Sequence, residues 1–565
     1  MSMKPPTIEE IQKKFEKGYQ FKQKIGLYDT VQVNEDFYIG KQWEGVQANG
    51  LPTPTFNFIK QVVNFHVANI TNENMAVQAT PLPSVSRFDK RTTEKITEVL
   101  NHQYAAIIER NHLVSQLRKY MRNAAVDGDG CIYAYFDPTV ENGQLVKGEI
   151  VTEVIENTRV MFGNANSSDV QNQPYIMLYK REIVEDVKYR AEKYKEAGEF
   201  GMESVDVIQA DSEKFNSRYD SYTDDKVTVI TYLYRNRDTG TIWSCEATEK
   251  GILRKAYDTG YRLYPIIWLS WDYIQDSYHG QAMITGLIPN QKFINKLYAM
   301  VGVSLMTTAF PKIIYNRNMI RSWDGSVGTA VGVNGPVDTV AKAIDGASVS
   351  PQIGQFLDMT MGTTKSLLGA SDVAMGDSRP DNTSAIIALQ RAANTPMEMT
   401  KQNMYQCVED LARIWQDMMS VRYGIRKVEV NMSLDEPGAQ PLGMMLPVQT
   451  FMVDFDFAQL KNFPVAIKQD VGASSYWSEM ANMQTLDNLL MNHHITLEQY
   501  LERLPSGYIS RKQELINQIK AQSMAAQLPP AGAATDISKE RIEEIPLQGG
   551  PGNGQLQRAL NEQGV

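Results

Sequence analysis

Apolar residues recur at helical spacing through the first 125 positions of the chain. Thr7 and Glu10 form a capping box, and the residues that follow place one apolar face on a helix: Ile8, Ile11, Phe15 and Tyr19. A second stripe predicts a helix over Asn57–Asn69. A third, over Arg91–Ala125, predicts one or two amphipathic helices.

Beyond residue 130 the apolar period changes from that of a helix to that of a strand. Cys131–Phe136 alternates, and Asn142-Gly143 is a turn signal that predicts a hairpin into a strand at Leu145–Val154. The remaining elements predicted before residue 270 are three strands and one charged helix: Tyr175–Arg181, Val227–Tyr234 and Thr241–Cys245, with the helix at Val184–Ala197. Residues 1–270 are therefore predicted as an α+β region, helices first and sheet second.

Two helices that carry little charge flank a short insert in the middle of the chain. Gly280–Phe310 is helical in pattern with Pro289 as an interruption, Pro311–Ile344 is β-like with turn residues, and Pro351–Leu368 is again helical. Apolar helices of this kind must be covered. The segment Ala299–Phe310 is either a core helix of its own chain or is buried against the same helix of a neighbouring subunit.

A long helix and a mixed C-terminal region follow. Residues 376–382 have loop composition, and Thr383–Tyr423 is predicted as a helix kinked at Pro396. An apolar stripe from Met404 to Met418 indicates either intramolecular core or a contact between chains. The elements predicted after it are strands at Lys427–Val430 and Thr450–Phe455, a helix at about Trp477–Met491, and capping boxes at Thr496 and Ser510. From Ser523 onward, Ala, Gln, Pro and Gly dominate, which predicts a disordered tail.

Composition narrows the class of protein. The chain has 565 residues, 42% hydrophobic and 22% charged, which suggests about three or four domains and excludes wholesale disorder. Three cysteines without a CxxC pair favour a reducing compartment. The polar N-terminus lacks the apolar core of a signal peptide, and the longest apolar run, Leu297–Phe310, is too short to span a bilayer. We therefore expect a soluble protein made inside the cell.

The sequence offers little that indicates catalysis. It contains no phosphate-binding loop, dinucleotide-binding loop, nucleophile elbow or HExxH zinc motif, so no cofactor or metal is predicted. Asp127–Gly130 imitates a calcium loop, but Pro138 stands at its twelfth position, which favours a helix-to-strand turn. Asp454 and Asp456 share a strand face, either as a solvated acidic edge or as the carboxylate pair of a metal-dependent phosphodiesterase.

Four segments, taken in order, resemble the portal (head–tail connector) proteins of tailed bacteriophages over about residues 30–520. The first is Phe37-Tyr38-x-Gly40-x-Gln42-Trp43 with Asn57-x-Ile59, and the second is His279-Gly280 with Gln291-x-x-x-Asn295-Lys296. The third is the insert at residues 311–344, and the fourth is Asp381–Ala385 ahead of a long helix.

The resemblance implies an α+β, multidomain, predominantly helical subunit of a dodecameric ring, placed in the virion at one capsid vertex, through whose channel DNA is packaged and ejected. The regions implied are wing (1–270), first stem helix (271–310), clip (311–346), second stem helix (347–370), tunnel loop with a long kinked wing helix (371–424), wing-closing strands with crown helices (425–522), and tail (523–565). The implied partners are the terminase large subunit, major capsid and scaffolding proteins, head–tail adaptor or tail proteins, and double-stranded DNA without sequence preference. No enzymatic activity, cofactor or membrane anchor is implied.

On this interpretation, two sets of residues become candidates for function. Five basic residues are candidates for contact with DNA in the channel: Arg379, Lys312, Arg317, Arg321 and Lys342. The alternative interpretation is that these side chains face solvent or form salt bridges between subunits. The candidates for the subunit interface are Val303, Leu305, Met306, Phe356 and Met361. Two other functions stay open: a different structural ring or scaffold component of the virion, and a phosphodiesterase that uses Asp454 and Asp456.

The net charge of −10, from 56 basic and 66 acidic residues, suits a channel protein. A protein that holds DNA tightly shows a basic surface, because each phosphate contact releases counterions and strengthens binding. A wall with few cations lets a duplex slide past it. The charge therefore favours passage of DNA over its retention.

Overall fold

The computed structural model describes residues 5–46, 52–71, 76–81, 90–212, 225–309, 312–320, 332–334, 336–344, 351–367, 383–432, 449–470, 485–492, 494–497, 500–501 and 515. Within α-helical residues 383–396 only the backbone is described. The chain divides into two compact units, Met1–Trp477 and Ser478–Val565.

The first unit combines helices with several small antiparallel sheets. Its helices are α1 Ile8–Lys24, α2 Leu27–Ile39, α3 Phe58–Thr71, α4 Lys90–Arg110, α5 Leu113–Asp127, α6 Val184–Glu196, α7 Met283–Ala309, α8 Val337–Val340, α9 Pro351–Leu367 and α10 Thr383–Arg422. Its strands are β1 Ala76–Pro81, β2 Asp129–Asp137, β3 Glu149–Ile155, β4 Val160–Phe162, β5 Tyr175–Ile183, β6 Lys226–Arg235, β7 Ile242–Thr248, β8 Gly251–Asp258, β9 Ile266–Ser270, β10 Lys312–Tyr315, β11 Ala341–Ile344, β12 Ile425–Met432, β13 Gln449–Asp456 and β14 Val465–Asp470. Helices and sheets in one chain agree with the predicted α+β class.

The sheets are small and antiparallel. Five strands follow the order β4-β5-β6-β7-β8, three follow β3-β2-β9, and the remaining pairs are β1-β14, β10-β11 and β12-β13. The β1-β14 pair joins Ala76 to Asp470, so a strand that follows the first three helices pairs with the last strand of the first unit.

The predicted N-terminal helices are confirmed. Thr7 and Glu10 make both hydrogen bonds of the capping box, and Ile11 and Phe15 are buried beneath the five-stranded sheet. The stretch predicted as one or two helices contains two, because His112 adopts a left-handed conformation (φ 49°) between α4 and α5. The Asp127–Gly130 segment is the predicted helix-to-strand turn, with Gly128 at φ 101° ending α5.

The hairpin predicted at Asn142-Gly143 exists, but its second strand begins later than expected. β3 starts at Glu149, and Leu145, predicted in the strand, is 94% exposed. The side-chain amide of Asn142 donates to the carbonyls of Val146 and Gly148, at 3.2 and 3.1 Å, and so holds a longer loop closed. A side chain that satisfies backbone acceptors in this way stabilises a loop in place of a tight turn.

The apolar stripe of α10 lies in the core of its own chain. Met404, Val408 and Trp415 are all at most 1% exposed and pack with the apolar faces of α4, α5 and β12. The intramolecular alternative is therefore confirmed for this stripe. The predicted kink at Pro396 falls where only the backbone is described, and the helix is assigned continuously through it.

The second unit is described only in part. Residues 485–491 are helical, and the Tyr500 hydroxyl donates to Asp487 Oδ1 at 2.6 Å. The capping box predicted at Ser510 and the tail from Ser523 lie outside the described residues.

Candidate functional site

The central hairpin, which we define as α7, β10, β11 and α9, leaves an apolar surface uncovered. α7 contains two lysines and no acidic residue, and α9 contains one aspartate and one lysine. The large apolar side chains with the highest exposed fractions on the two helices are Met300 (68%), Leu305 (57%), Met306 (56%), Phe356 (48%) and Met359 (68%). Several large apolar side chains exposed on neighbouring helices of a folded chain mark a contact surface for another molecule.

The exposure in α7 is concentrated in its second half. Before Ala299 one face of the helix is packed: Ile294 is fully buried, and Leu287 joins Leu357 of α9 in one apolar cluster, while Phe293 on another face is 44% exposed. Val303 is half-buried, and a Cβ at Gly302 would lie 3.3 Å from Pro52 of the same chain. The free surface of α7 therefore lies mainly in its second half, where the helix leaves the packed part of its own chain.

The five interface candidates do not all lie on that free surface. Met306, Leu305 and Phe356 are exposed. Met361 is half-buried in the cluster between the two helices, where the Tyr298 hydroxyl lies 3.9 Å from its sulfur. Met300 and Met359, which the sequence analysis did not select, are more exposed than any of the selected residues. Apolar character alone could not distinguish the exposed positions from the half-buried ones, because the burial of each side chain depends on how α7 pairs with α9.

A buried amide network fastens the central hairpin to the N-terminal helices. Asn295 Nδ2 donates to Gln42 Oε1 at 2.6 Å, and Gln291 Nε2 donates to Asn295 Oδ1 at 2.9 Å and to the Phe56 carbonyl at 2.8 Å. Gln42 donates in turn to the Phe37 carbonyl at 3.1 Å. Gln42, Gln291 and Asn295 belong to two of the segments quoted above for the family resemblance, and the fold brings them into direct contact.

Replacing Asn295 by leucine is expected to loosen α7 from the N-terminal helices. The change leaves Gln42 Oε1 without its donor in a buried site, and an unsatisfied buried polar atom costs about 1–3 kcal/mol. We expect a fall of about that size in the free energy of unfolding by urea, together with faster amide exchange in α7. Lys296→Leu, at the exposed neighbouring position, is the matched control; equal effects from both variants would contradict the role of the network.

A second buried polar cluster lies where the chain enters α7. Asp129 accepts hydrogen bonds from the Ser270 hydroxyl (2.7 Å), the Gly280 amide (2.8 Å) and His279 Nδ1 (2.7 Å). Asp129 is fully buried, and His279 is 3% exposed. Burial lowers the pKa of His279, against the opposing effect of the Asp129 charge. Because both groups are buried and Asp129 accepts from the Gly280 amide, the arrangement positions backbone.

The DNA-contact candidates are placed only in part. Arg317 is exposed in the turn after β10, and Lys342 is exposed on β11 opposite Ile314 of β10, so the two belong to one small two-stranded unit. Lys312 opens β10 opposite Ile344, and nothing of its side chain is described. Arg321 and Arg379 lie outside the described residues.

Two lysines that the sequence analysis missed are exposed on the packed half of α7. Lys292 and Lys296 are one helical turn apart, and Lys292 Nζ lies 5.3 Å from the Phe37 ring centre. A signal for them was available: a pair of lysines at i and i+4 in a helix that has no acidic residue.

The two members of the acidic pair near the end of the first unit, Asp454 and Asp456, have different surroundings. Asp456 accepts a hydrogen bond from the Ala458 amide at 2.9 Å and caps a short 3-10 helix. Asp454 is exposed and lies opposite Lys427 in the β12-β13 ladder. No group of three or more metal-ligating side chains occurs within the described ranges. The geometry therefore favours the solvated-edge interpretation of this pair.

No helix in the described part of the chain is long and apolar enough to cross a membrane.

Comparison with known protein families finds a match in the middle of the chain. The family model for the phage P22-like portal protein matches residues 161–428, a span that contains the five-stranded sheet, the central hairpin and α10. No curated protein matches the chain. Portal proteins are structural components of the phage virion, not enzymes. The match over residues 161–428 supports a tailed-phage portal protein, and the resemblance to tailed-phage portal proteins is confirmed.

Proposed function

We propose that this portal protein assembles into a dodecameric ring whose axial channel, at one capsid vertex, carries viral DNA inward during packaging and outward during ejection. The observation that carries the proposal is the uncovered apolar surface of the central hairpin. In a ring, the hairpin of each subunit lies against that of its neighbour, and the exposed methionine, leucine and phenylalanine side chains are buried between copies.

Burial of these side chains would contribute to the stability of the ring. Fully burying one leucine, methionine or phenylalanine side chain stabilises by about 1.5–3 kcal/mol. Five such side chains that are already about half covered would therefore contribute on the order of 5 kcal/mol for each subunit contact. Repeated around a closed ring, contacts of this size favour a stable assembly.

The regional assignment follows the same reasoning. α7 and α9 form the stem, the β10-β11 insert within residues 311–346 forms the clip, and residues 1–270 with α10 form the wing. The crown is assigned to the helices that follow the wing-closing strands within residues 425–522. We assign the tunnel loop to residues between α9 and α10, a segment outside the described residues that contains Arg379.

The proposed partners act at different faces of the ring. The sequence has no phosphate-binding loop, so ATP hydrolysis belongs to a separate motor, the terminase large subunit. Major capsid and scaffolding proteins would surround the wing, and head–tail adaptor proteins would bind at the clip. DNA would contact the channel through few cations, consistent with the net charge of −10.

Electron microscopy of the purified protein tests the proposal. We expect ring-shaped particles with a central hole and a mass, by sedimentation or light scattering, that corresponds to about twelve subunits. A chain that stays monomeric at all concentrations would contradict the proposal. Rings found in the virion away from the packaging vertex would favour a different structural role.

Reversing the charge of the clip is expected to affect DNA and not assembly. In Arg317→Glu/Lys342→Glu, two exposed cations become anions that repel phosphate, while the apolar surface of the stem is unchanged. We expect rings of normal size and an altered yield of packaged or retained DNA in a complementation assay, relative to Arg317→Lys/Lys342→Arg. Unchanged packaging would remove both residues from the DNA-contact set.

A further inference from the structure

The last turn of α1 places a lysine where no solvent reaches it. Lys22 is fully buried, and its Nζ donates to the carbonyls of Asn157 (2.8 Å) and Thr158 (2.7 Å). Burying an amino group is costly unless it is hydrogen-bonded, so a lysine in this position needs a specific arrangement of acceptors around it. The acceptors here belong to the short 3-10 helix at Asn157–Arg159, which leads into β4.

From that short helix, hydrogen bonds lead directly to the beginning of α7. Asn157 Nδ2 donates to the Asp127 carbonyl at 2.8 Å and to Asp129 Oδ2 at 3.3 Å. Asp129 then accepts from His279 Nδ1 and from the Gly280 amide. Every step of this path joins buried or partly buried groups through contacts of 3.3 Å or less.

Gly280 is the point at which the path meets the backbone of the stem. A Cβ added to Gly280 would lie 2.5 Å from both the Asp272 carbonyl oxygen and Ser270 Cβ, so the chain passes through a space that admits only glycine. α7 begins three residues later, at Met283. Movement at Gly280 therefore changes the direction in which the whole helix leaves the wing.

We infer that Lys22 is a positioning residue for the stem: by holding Asn157 and Asp129 in place, it fixes His279 and Gly280, so that the orientation of α7 depends on the docking of α1 in the wing. The consequence for assembly rests on the proposed function, because orientation decides whether neighbouring hairpins can meet. The effect on α7 itself does not depend on any ring.

His279 gives this arrangement a dependence on pH. The ionisable groups facing His279 within the described residues are Asp129 from β2 and Lys22 from α1, and burial lowers the pKa of Lys22 well below its ordinary value. Burial raises the pKa of the nearby phenols of Tyr278 and Tyr28, which stay neutral. With Nδ1 donating to Asp129, His279 Nε2 is left buried with no hydrogen-bond partner. Protonating Nε2 would bury an unsatisfied donor.

The direction of the pH effect follows from the pKa of His279. Because burial lowers that pKa in the folded chain, the unfolded or opened chain binds the proton more readily. The stabilisation is therefore fully present above the ordinary histidine pKa of about 6.5 and is lost as the pH falls below it. Acid should loosen the beginning of α7.

Hydrogen exchange of the unassembled chain tests the role of Lys22. In Lys22→Met we expect amide exchange in the peptide around residues 279–286 to quicken at least tenfold, while β12 and the C-terminal half of α10 exchange as in the unchanged protein. Lys24→Met, at an exposed position in the same turn, is the matched control and should behave like the unchanged protein. Unchanged exchange around Gly280 in Lys22→Met would overturn the inference.

A second measurement keeps the inference testable if Lys22→Met does not fold. Asparagine at position 279 retains a donor near the place of Nδ1 and does not titrate. We expect exchange around Gly280, corrected for its intrinsic pH dependence, to rise between pH 7 and pH 5.5 in the unchanged protein and to stay level in His279→Asn. An equal rise in both would overturn the inference. Rings that form normally in Lys22→Met despite faster exchange would leave the positioning role intact and show that assembly tolerates the altered orientation.

Discussion

Replacing Met306 by aspartate is expected to prevent ring formation while the subunit remains folded. Met306 is 56% exposed in the single chain, so a carboxylate there stays solvated and disturbs little. At a contact between subunits the same carboxylate would be buried without a partner, which costs several kcal/mol and recurs at each contact of the ring. Val303→Asp should have the same effect on assembly, with some additional loss of subunit stability because Val303 is half-buried.

Sedimentation velocity and negative-stain microscopy measure this result, and circular dichroism with thermal unfolding establishes that the subunit is folded. Met306→Leu, which keeps the position apolar and of similar volume, is the control and should form rings normally. Intact rings from Met306→Asp would show that this part of α7 does not face a neighbouring subunit.

The second large effect is expected at a buried ion pair that joins the start of β12 to the β2-β3 hairpin. Arg426 and Glu149 are 4% and 3% exposed, with Arg426 Nη1 lying 3.0 Å from Glu149 Oε1 and Nη2 donating to the Gly148 carbonyl at 2.6 Å. The guanidinium also lies 3.6 Å from the centre of the Tyr423 ring. Arg426→Met leaves a buried carboxylate short of its partner, which is expected to lower the free energy of unfolding by about 3–5 kcal/mol.

Urea unfolding followed by circular dichroism measures that loss, with Lys427→Met, at the exposed next residue, as the control. We expect the midpoint of the control to change little. A loss below 1 kcal/mol in Arg426→Met would mean that Arg110, which also contacts Glu149, compensates the carboxylate by itself.

Local patterns were sufficient to predict most of the helices and many of the strands. The capping box at Thr7 and the stripe over Asn57–Asn69 depend on residues within two or three turns of each other, and both helices form where expected. The low charge of α7 and α9 likewise predicted a paired hairpin, since both helices must bury an apolar face. Pro289 was predicted to interrupt the helix, but it lies inside α7, which runs without a break from Met283 to Ala309.

Contacts between distant parts of the chain could not be predicted in this way. Nothing near Ala76 indicates that its strand pairs with Asp470, and neither strand of that pair was predicted. The predicted start of β3 was too early in the chain. The amide of Asn142 donates to the carbonyls of Val146 and Gly148, so these residues form a loop and not the first part of the strand. Contacts of this kind depend on which segments meet, and the period of the apolar residues carries no information about that.

The candidate site illustrates the same limit. Gln42 and Asn295 stood in segments that carried the family resemblance, yet their direct hydrogen bond joins positions more than 250 residues apart in sequence. Lys22 gave no signal, because a lysine in the last turn of an amphipathic helix is ordinarily solvated and interacts with the helix dipole. Its burial follows only from the docking of α1 against the five-stranded sheet.

Methionine oxidation compared between the free subunit and the assembled particle tests the central claim most directly. After brief exposure to peroxide, Met300, Met306 and Met359 should be oxidised rapidly in the free chain and at least tenfold more slowly in the ring, whereas buried Met397 and Met404 should react slowly in both. That result would place the apolar surface of the hairpin between copies of the chain. Rapid oxidation of the same three methionines in the assembled particle would contradict the account.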